Sequence, residues 1–308
     1  MKEHLLQIGS FPDFVQDKID AEFVRHDWES LQASPALFPK VRGIITRSNY
    51  LVPADTIHSL SNLGVIATCG VGYDLIPLQL AKEKGIVVAN TPNVLNSAVA
   101  ELAVGLTLAM LRQLPQAHNF AKTSQWPQSN FSLGTNLSGK TVGIIGLGRI
   151  GREIARRFEA FDVSLAYFGR TRQNVDLRFE PHLLKLAETS DILIVAAPGG
   201  PETAKMINAD VLNALGPNGY LVNIARGSLV DEDALAQALR EGVIAGAALD
   251  VFNNEPHINP QLLNLDRLIL APHIGSATHE TRLAMAELTL QNLRQFYRDG
   301  SVLTPVNV

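Results

Sequence analysis

Three side chains of complementary chemistry follow apolar runs in the C-terminal half of the chain. Arg226 lies in Asn223-Ile224-Ala225-Arg226-Gly227, Glu255 in Asp250-Val251-Phe252-Asn253-Asn254-Glu255-Pro256, and His273 in Ala271-Pro272-His273-Ile274-Gly275-Ser276. A guanidinium grips a carboxylate with a fork of hydrogen bonds, an imidazole exchanges a proton near neutral pH, and a neighbouring carboxylate favours the protonated ring. Together they are a carboxylate anchor, a proton donor and the donor's partner, the three parts that hydride reduction of a 2-keto acid requires. Singly, each has a plainer reading: a surface cation, a turn residue before proline, and a satisfied polar residue at a strand end.

A second constellation is Gly146-Leu147-Gly148-Arg149-Ile150-Gly151, between the strand-like Thr141-Val142-Gly143-Ile144-Ile145 and a helical stretch from Arg152 to Phe158. Gly146 permits the tight turn, Gly148 lets a pyrophosphate approach the backbone, and Gly151 lets the helix pack close to the strand. Free N–H groups at the helix start then hold the phosphates. On its own the glycine pattern reads equally as a packing turn; the strand before it and the helix after it select a dinucleotide site. An acidic residue about 20 positions on would bind the ribose 2′-hydroxyl of NAD. Here Tyr167-Phe168-Gly169-Arg170-Thr171-Arg172 stands in that place, with Arg170 19 residues after Gly151 and no Asp or Glu between Val163 and Asn174. Arg170 can fork onto a 2′-phosphate and Arg172 adds charge, so NADPH is expected over NADH. The plainer reading is a solvated basic turn.

Other chemistries find no support. The eight histidines (4, 26, 58, 118, 182, 257, 273 and 279) show no His-x-x-x-His spacing and no mixed ligand cluster, so no metal site is expected. No glycine-rich turn continues into Gly-Lys-Ser/Thr, and no Gly-x-Ser-x-Gly elbow occurs.

The elements that must position these groups are legible as short Val/Ile/Leu-rich runs at 41–46, 63–69, 86–90, 141–146, 163–168, 191–197, 220–225, 244–251 and 268–272. Each is near-continuously apolar, as in strands buried on both faces of a parallel sheet. Helical stretches separate them. The clearest is Asp231 to Arg240, with Asp231 as N-cap, Glu232 and Asp233 acidifying the first turn, and Gly242 just past the end. Alternating strand and helix predict a doubly wound α/β fold, and all three chemical side chains fall at C-terminal strand ends, where such sheets collect ligands. One long apolar helix, Ser97 to Leu114, and an aperiodic polar stretch, 115–140, interrupt the alternation. The domain junction is placed near residue 96, giving a first domain of 1–96 plus the returning helix segment 279–308 and a second of 97–278.

The chain has 308 residues, 46% of them hydrophobic and 18% charged, proportions of a packed globular protein that exclude disorder. A net charge of −4 gives no long-range pull toward nucleic acid or anionic lipid. The single cysteine, Cys69, cannot form an internal disulfide, which points to a reducing, cytoplasmic setting. No apolar segment reaches the roughly 20 residues that span a bilayer.

Over essentially its whole length the sequence resembles the D-isomer-specific 2-hydroxyacid dehydrogenases. The resemblance is carried by Gly70-Val71-Gly72-Tyr73-Asp74, Asn90-Thr91-Pro92 with Val99-Ala100-Glu101, the Gly146–Gly151 loop, Asn223 to Gly227, Leu249-Asp250-Val251-Phe252 through Glu255-Pro256, and Pro272 to Thr278. Within that family the segment Tyr167 to Arg172 looks most like NADPH-using glyoxylate/hydroxypyruvate reductases and the related hydroxyphenylpyruvate reductases.

The resemblance implies a flavodoxin-like substrate domain and a Rossmann dinucleotide domain, with the active site in the cleft between them, and a homodimer with 115–140 as an arm. It also implies His273 as proton donor, Glu255 as its partner, Arg226 on the substrate carboxylate, and backbone N–H groups of Val71 and Gly72 beside it. Gly169, Arg170, Thr171, Arg172, Ile224 and Ala225 would line the cofactor, and Asp250 would orient the nicotinamide carboxamide. Trp126 has two readings, an ordinary interface aromatic or a residue reaching the partner's active site. Ala197-Pro198-Gly199-Gly200-Pro201 departs from the family in carrying two glycines where bulkier residues are usual. Rival substrates are 2-ketogluconate and aromatic 2-keto acids, with selectivity expected near Ser48, Asn49 and Tyr50. A nucleotide-sensing corepressor is the rival of a different class.

Overall fold

The computed structural model describes residues 2–306; Met1, Asn307 and Val308 lie outside the described residues. The chain divides into two units, Met1–Leu95 with Thr278–Val308, and Asn96–Ala277.

The first unit holds five strands, β1 (His4–Gln7), β2 (Val24–His26), β3 (Val41–Arg47), β4 (Val65–Cys69) and β5 (Val87–Ala89). They pair parallel in the order β2-β1-β3-β4-β5, the flavodoxin-like arrangement. Leu6, Ile44, Ile57, Ile66 and Val88 form its core. The strand pattern overlooked β1 and β2 for a physical reason: β1 buries only Leu5 and Leu6, and β2 is a three-residue edge strand that buries none of its residues fully. Neither is an apolar run. The helix His279–Asp299 also belongs to this unit. Thr278 caps it, its Oγ1 accepting from Thr281 N at 3.1 Å, and Gly300 ends it in the left-handed conformation.

The second unit holds β6 (Thr141–Ile145), β7 (Ser164–Phe168), β8 (Arg178–Phe179), β9 (Ile192–Val195), β10 (Tyr220–Asn223), β11 (Gly246–Leu249) and β12 (Leu268–Leu270). All pair parallel, in the order β12-β11-β10-β9-β6-β7-β8. β9 and β11 are buried along their whole length, as sheets covered on both faces require, and each Ile, Leu and Val side chain of β9 stabilises by about 1.5–3 kcal/mol. The chain starts at β6, winds outward through β7 and β8, then crosses to β9 on the other side. The C-terminal ends of β6 and β9 are therefore the point where the strand order reverses and ligands bind.

Two helix expectations need correction. The single helix expected over Ser97 to Leu114 is Asn96–Leu111, followed by a second helix, Leu114–Lys122, bent 57° from it. Gln113 takes the left-handed conformation at the bend (φ 50°). Pro115 lacks an N–H and its ring cannot follow a helical turn, so it sits at the start of a new helix. The stretch read as aperiodic thus opens with a helix, and only 123–140 lacks regular structure. The cofactor helix begins at Arg149 rather than Arg152. Toward the N-terminal ends of β10, β11 and β12, opposite the strand ends followed by the candidate residues, Tyr220, Gly246 and Ile269 line a cavity of about 400 Å³, to which none of those candidates contributes.

Candidate active site

The glycine turn after β6 is shaped by what its residues lack. Gly146 has φ +95°, and a Cβ there would meet the Ala197 backbone at 2.7 Å, so only glycine lets the ends of β6 and β9 close together. A Cβ on Gly151 would collide with the Gly146 carbonyl oxygen, which fixes how closely helix Arg149–Phe158 sits on the turn. Gly148 differs from both. It is the N-cap of that helix, without a side-chain cap, and a Cβ there would meet nothing within 4 Å. The space over Gly148 is open, and no acidic residue stands in the first turn to repel an anion.

The loop after β7 is fixed from beneath. The buried Tyr167 hydroxyl accepts from Gln173 N at 2.7 Å, and Gln173 Nε2 donates to Leu147 O at 2.9 Å, tying this loop to the glycine turn. Between those ties Arg170, Thr171 and Arg172 are exposed, and Gly169 half-buried. Arg152 is engaged with Gln173 Oε1. These features fit a dinucleotide: an open backbone cradle, a bare helix N-terminus, and exposed guanidinium groups beyond the second strand.

The other three candidates come together on β10, β11 and β12. Asn223, fully buried at the end of β10, accepts from Ala225 N at 3.0 Å and donates to Arg226 O at 2.9 Å, clamping the loop that presents Arg226. Ile224 and Ala225 are buried in that loop. Gly227 permits its close approach to the β11 loop, since a Cβ there would overlap the Phe252 and Asn253 backbone. Glu255 accepts from Phe252 N at 2.9 Å through Oε1, while its Oε2 lies 2.6 Å from His273 Nδ1. Nδ1 therefore carries a proton donated to the carboxylate, and Nε2, which makes no hydrogen bond among the described residues, is the nitrogen left to exchange one. Burial would push the Glu255 carboxyl up; the His273 hydrogen bond and charge, the Phe252 N–H and Arg226 outweigh it and hold the carboxyl below its usual range.

His273 itself is held in the left-handed conformation (φ 53°), which a non-glycine residue keeps only where its surroundings enforce it. Asp250, 1% exposed, does so. Its two oxygens accept from Ile274 N at 2.7 Å and Gly275 N at 2.8 Å. Burial raises its carboxyl above the ordinary value, against the pull of those N–H groups.

In the first unit, Val71 and Gly72 follow β4, and their N–H groups donate to no acceptor among the described residues.

The residues matched at 104–275 fit the family model for the NAD-binding domain of the D-isomer specific 2-hydroxyacid dehydrogenases. Similarity extends well beyond that segment. A 2-ketogluconate reductase of Gluconobacter oxydans is 44% identical over 306 residues, covering 99% of each chain. The chain belongs to the D-isomer specific 2-hydroxyacid dehydrogenases. Glyoxylate/hydroxypyruvate reductase A of Arabidopsis thaliana is 42% identical over 98% of each chain. A crystal structure of an NADPH-dependent glyoxylate/hydroxypyruvate reductase from Sinorhizobium meliloti, in complex with NADP and malonate, superposes with a TM-score of 0.94 at 42% identity, over 99% of this chain and 97% of that one.

In this dehydrogenase several supporting residues lay beyond the reading of the sequence. Asn223 was visible only as a polar residue ending an apolar run. Glu232, read as an acidic first-turn residue, is buried and accepts from Asn253 N at 2.8 Å, holding the loop that carries Glu255. Asp231 is the N-cap expected, accepting from Ala234 N at 3.3 Å. Tyr167 and Gln173 gave no polar signal, because the Tyr167 hydroxyl bonds the backbone of its own loop and Gln173 the backbone of the distant glycine turn.

Proposed function

We propose that this dehydrogenase reduces a small 2-keto acid, glyoxylate or hydroxypyruvate, to the 2-hydroxy acid with NADPH. The observation that carries it is the 2.6 Å His273–Glu255 pair, standing at the same strand ends as the open Gly148 cradle and Arg226. Leu147, Gly148, Arg149 and Ile150 would hold the pyrophosphate with helix N–H groups, and Arg170 with Arg172 the 2′-phosphate. Asp250 would use its remaining lone pairs for the carboxamide. When bound, NADPH supplies hydride to the carbonyl carbon.

The chain's own residues do the rest. Arg226 binds the substrate carboxylate and draws electron density toward the keto oxygen; Val71 and Gly72 N–H groups are assigned to the same carboxylate. His273 gives its Nε2 proton to that oxygen, and Glu255, kept anionic, favours the imidazolium that must form again for the next turnover. Support for NADPH comes from Arg170, exposed and with no ion-pair partner among the described residues, and from the NADPH-dependent relative of known structure.

A second reading, 2-ketogluconate as substrate, is favoured by the 44% identical relative. The experiment is reduction of glyoxylate, hydroxypyruvate, 2-ketogluconate and hydroxyphenylpyruvate with NADPH and NADH in parallel. The highest kcat/KM with one of the first two and NADPH supports the proposal, and a clear preference for 2-ketogluconate or the aromatic acid replaces its substrate. Cofactor binding without turnover of any acid favours the sensor. We also infer a homodimer, supported by Trp126 and Leu133 being 70% and 95% exposed on the segment 123–140; sedimentation as a monomer at micromolar concentration would contradict it.

A further inference from the structure

The loop Gly70-Val71-Gly72 is held at its carbonyl oxygens by the segment after the neighbouring strand. Thr91 N donates to Gly70 O at 2.8 Å, and the Asn90 carboxamide donates through Nδ2 to Val71 O at 2.8 Å. A peptide unit is planar and trans, so its C=O and N–H point in opposite directions. Pinning Gly70 O therefore aims the Val71 N–H, and pinning Val71 O aims the Gly72 N–H. Both of these N–H groups donate to nothing among the described residues. A hydrogen bond received at the carbonyl also polarises the same peptide's N–H and strengthens it as a donor.

Asn90 is itself fixed at two backbone points. It is 8% exposed, its N donates to Thr304 O at 3.3 Å, and its O accepts from Thr304 Oγ1 at 2.6 Å. Thr304 is held in turn by Asn292, 1% exposed on the helix His279–Asp299, which accepts from Thr304 N at 3.0 Å and donates to Thr304 Oγ1 at 2.8 Å. On the loop's other side, a Cβ on Gly70 would overlap the Ser48 side chain, so the chain approaches there without room to shift.

We propose that Asn90 is a positioning residue for the substrate carboxylate: it sets the direction of the Gly72 N–H, and the relay Asn292–Thr304–Asn90 carries the C-terminal segment's hold onto the donor loop. The inference rests on the assignment of Val71 and Gly72 to the substrate. Asn90→Asp keeps size and backbone bonds while replacing the Nδ2 donor by an oxygen that repels Val71 O. It raises KM for glyoxylate and hydroxypyruvate about tenfold, the effect of misdirecting one hydrogen bond to a charged group. kcat stays within about twofold and the NADPH dissociation constant is unchanged, since the carboxylate contact acts alike in ground and transition states. Thr304→Val, which removes only the Oγ1 bonds, moves KM the same way by less.

Thermal unfolding of both variants separates position from fold: a merely structural Asn90 lowers Tm and leaves KM alone. An arm independent of turnover is calorimetry of oxalate, a dicarboxylate probe, with the NADP-loaded protein. Weaker oxalate binding by Asn90→Asp supports the inference. Equal binding by wild type and Asn90→Asp, or no oxalate binding by wild type, overturns it. Absence of keto-acid reduction by wild type sinks the reductase reading, and the oxalate arm still decides the role of Asn90.

Discussion

Two ends of one seven-stranded sheet region are built on opposite principles. Around β6, β7 and β9 the site is made by absent atoms: Gly146 and Gly151 let backbones meet, and Gly148 leaves a gap. Around β10, β11 and β12 it is made by buried polar atoms, with Asn223, Asp250, Glu255 and Glu232 each spending carboxylate or carboxamide lone pairs on backbone N–H groups. The first construction binds by shape and helix-end charge. The second fixes a proton-carrying ring to within one short hydrogen bond. A site that must accept a large anion needs room, whereas one that must hand over a proton needs an oriented donor.

Substitutions can separate the two constructions, and among those that leave the proton donor itself in place the largest effect is expected at Arg226. Arg226→Gln removes the charge that meets the substrate carboxylate and lowers kcat/KM for glyoxylate roughly a hundredfold, with NADPH binding unchanged by fluorescence titration. Loss of NADPH affinity on the same scale would mean the two regions are not separable.

At the shape-built end, Gly148→Ala and Gly151→Ala should diverge. Alanine at Gly148 meets nothing in the protein, so Tm is preserved while the methyl group fills the pyrophosphate space and weakens NADPH by at least about tenfold. Alanine at Gly151 strikes backbone and lowers Tm as well. Equal Tm losses would show that the openness over Gly148 is not functional. Arg170→Ala should weaken NADPH about tenfold and NADH hardly at all; equal losses for the two cofactors would remove Arg170 from the 2′-phosphate.

The smallest effect is a shift in pH dependence. The folded protein prefers the Glu255 anion, so that preference stabilises the fold at neutral pH and is lost only as pH falls through the lowered value, in the acid range. Glu255→Gln cannot titrate and lacks this contribution, so the Tm difference between wild type and variant shrinks as pH falls into the acid range. A Tm difference that stays constant across that range would show that the Glu255 charge contributes nothing to the fold.

The same contrast explains what the sequence made legible. The glycine turn is local: its three glycines span six positions, its flanking strand and helix are adjacent, and both its location and its chemistry could be read. Nine of the strands were visible because parallel strands buried on both faces are continuous apolar runs. The short edge strands β2 and β8, and β1 with only two buried residues, carry no such pattern. Arg226, Glu255 and His273 could be picked out by type, yet their geometry depends on bonds across 18 to 25 residues, as from Glu255 to His273 and from Asp250 to Gly275. Residue types announce a carboxylate; they do not announce which N–H it will accept from. Asp250 shows this most clearly. Expected as a cofactor contact, it is found gripping the turn that strains His273 into place.

The most direct test of the account is His273→Ala, followed by NADPH titration and steady-state reduction of glyoxylate or hydroxypyruvate on the same preparation. Removing a general acid is expected to lower kcat about a thousandfold, with the NADPH dissociation constant within about twofold of wild type. Turnover within a few-fold of wild type would contradict the account, because the proton would then come from elsewhere.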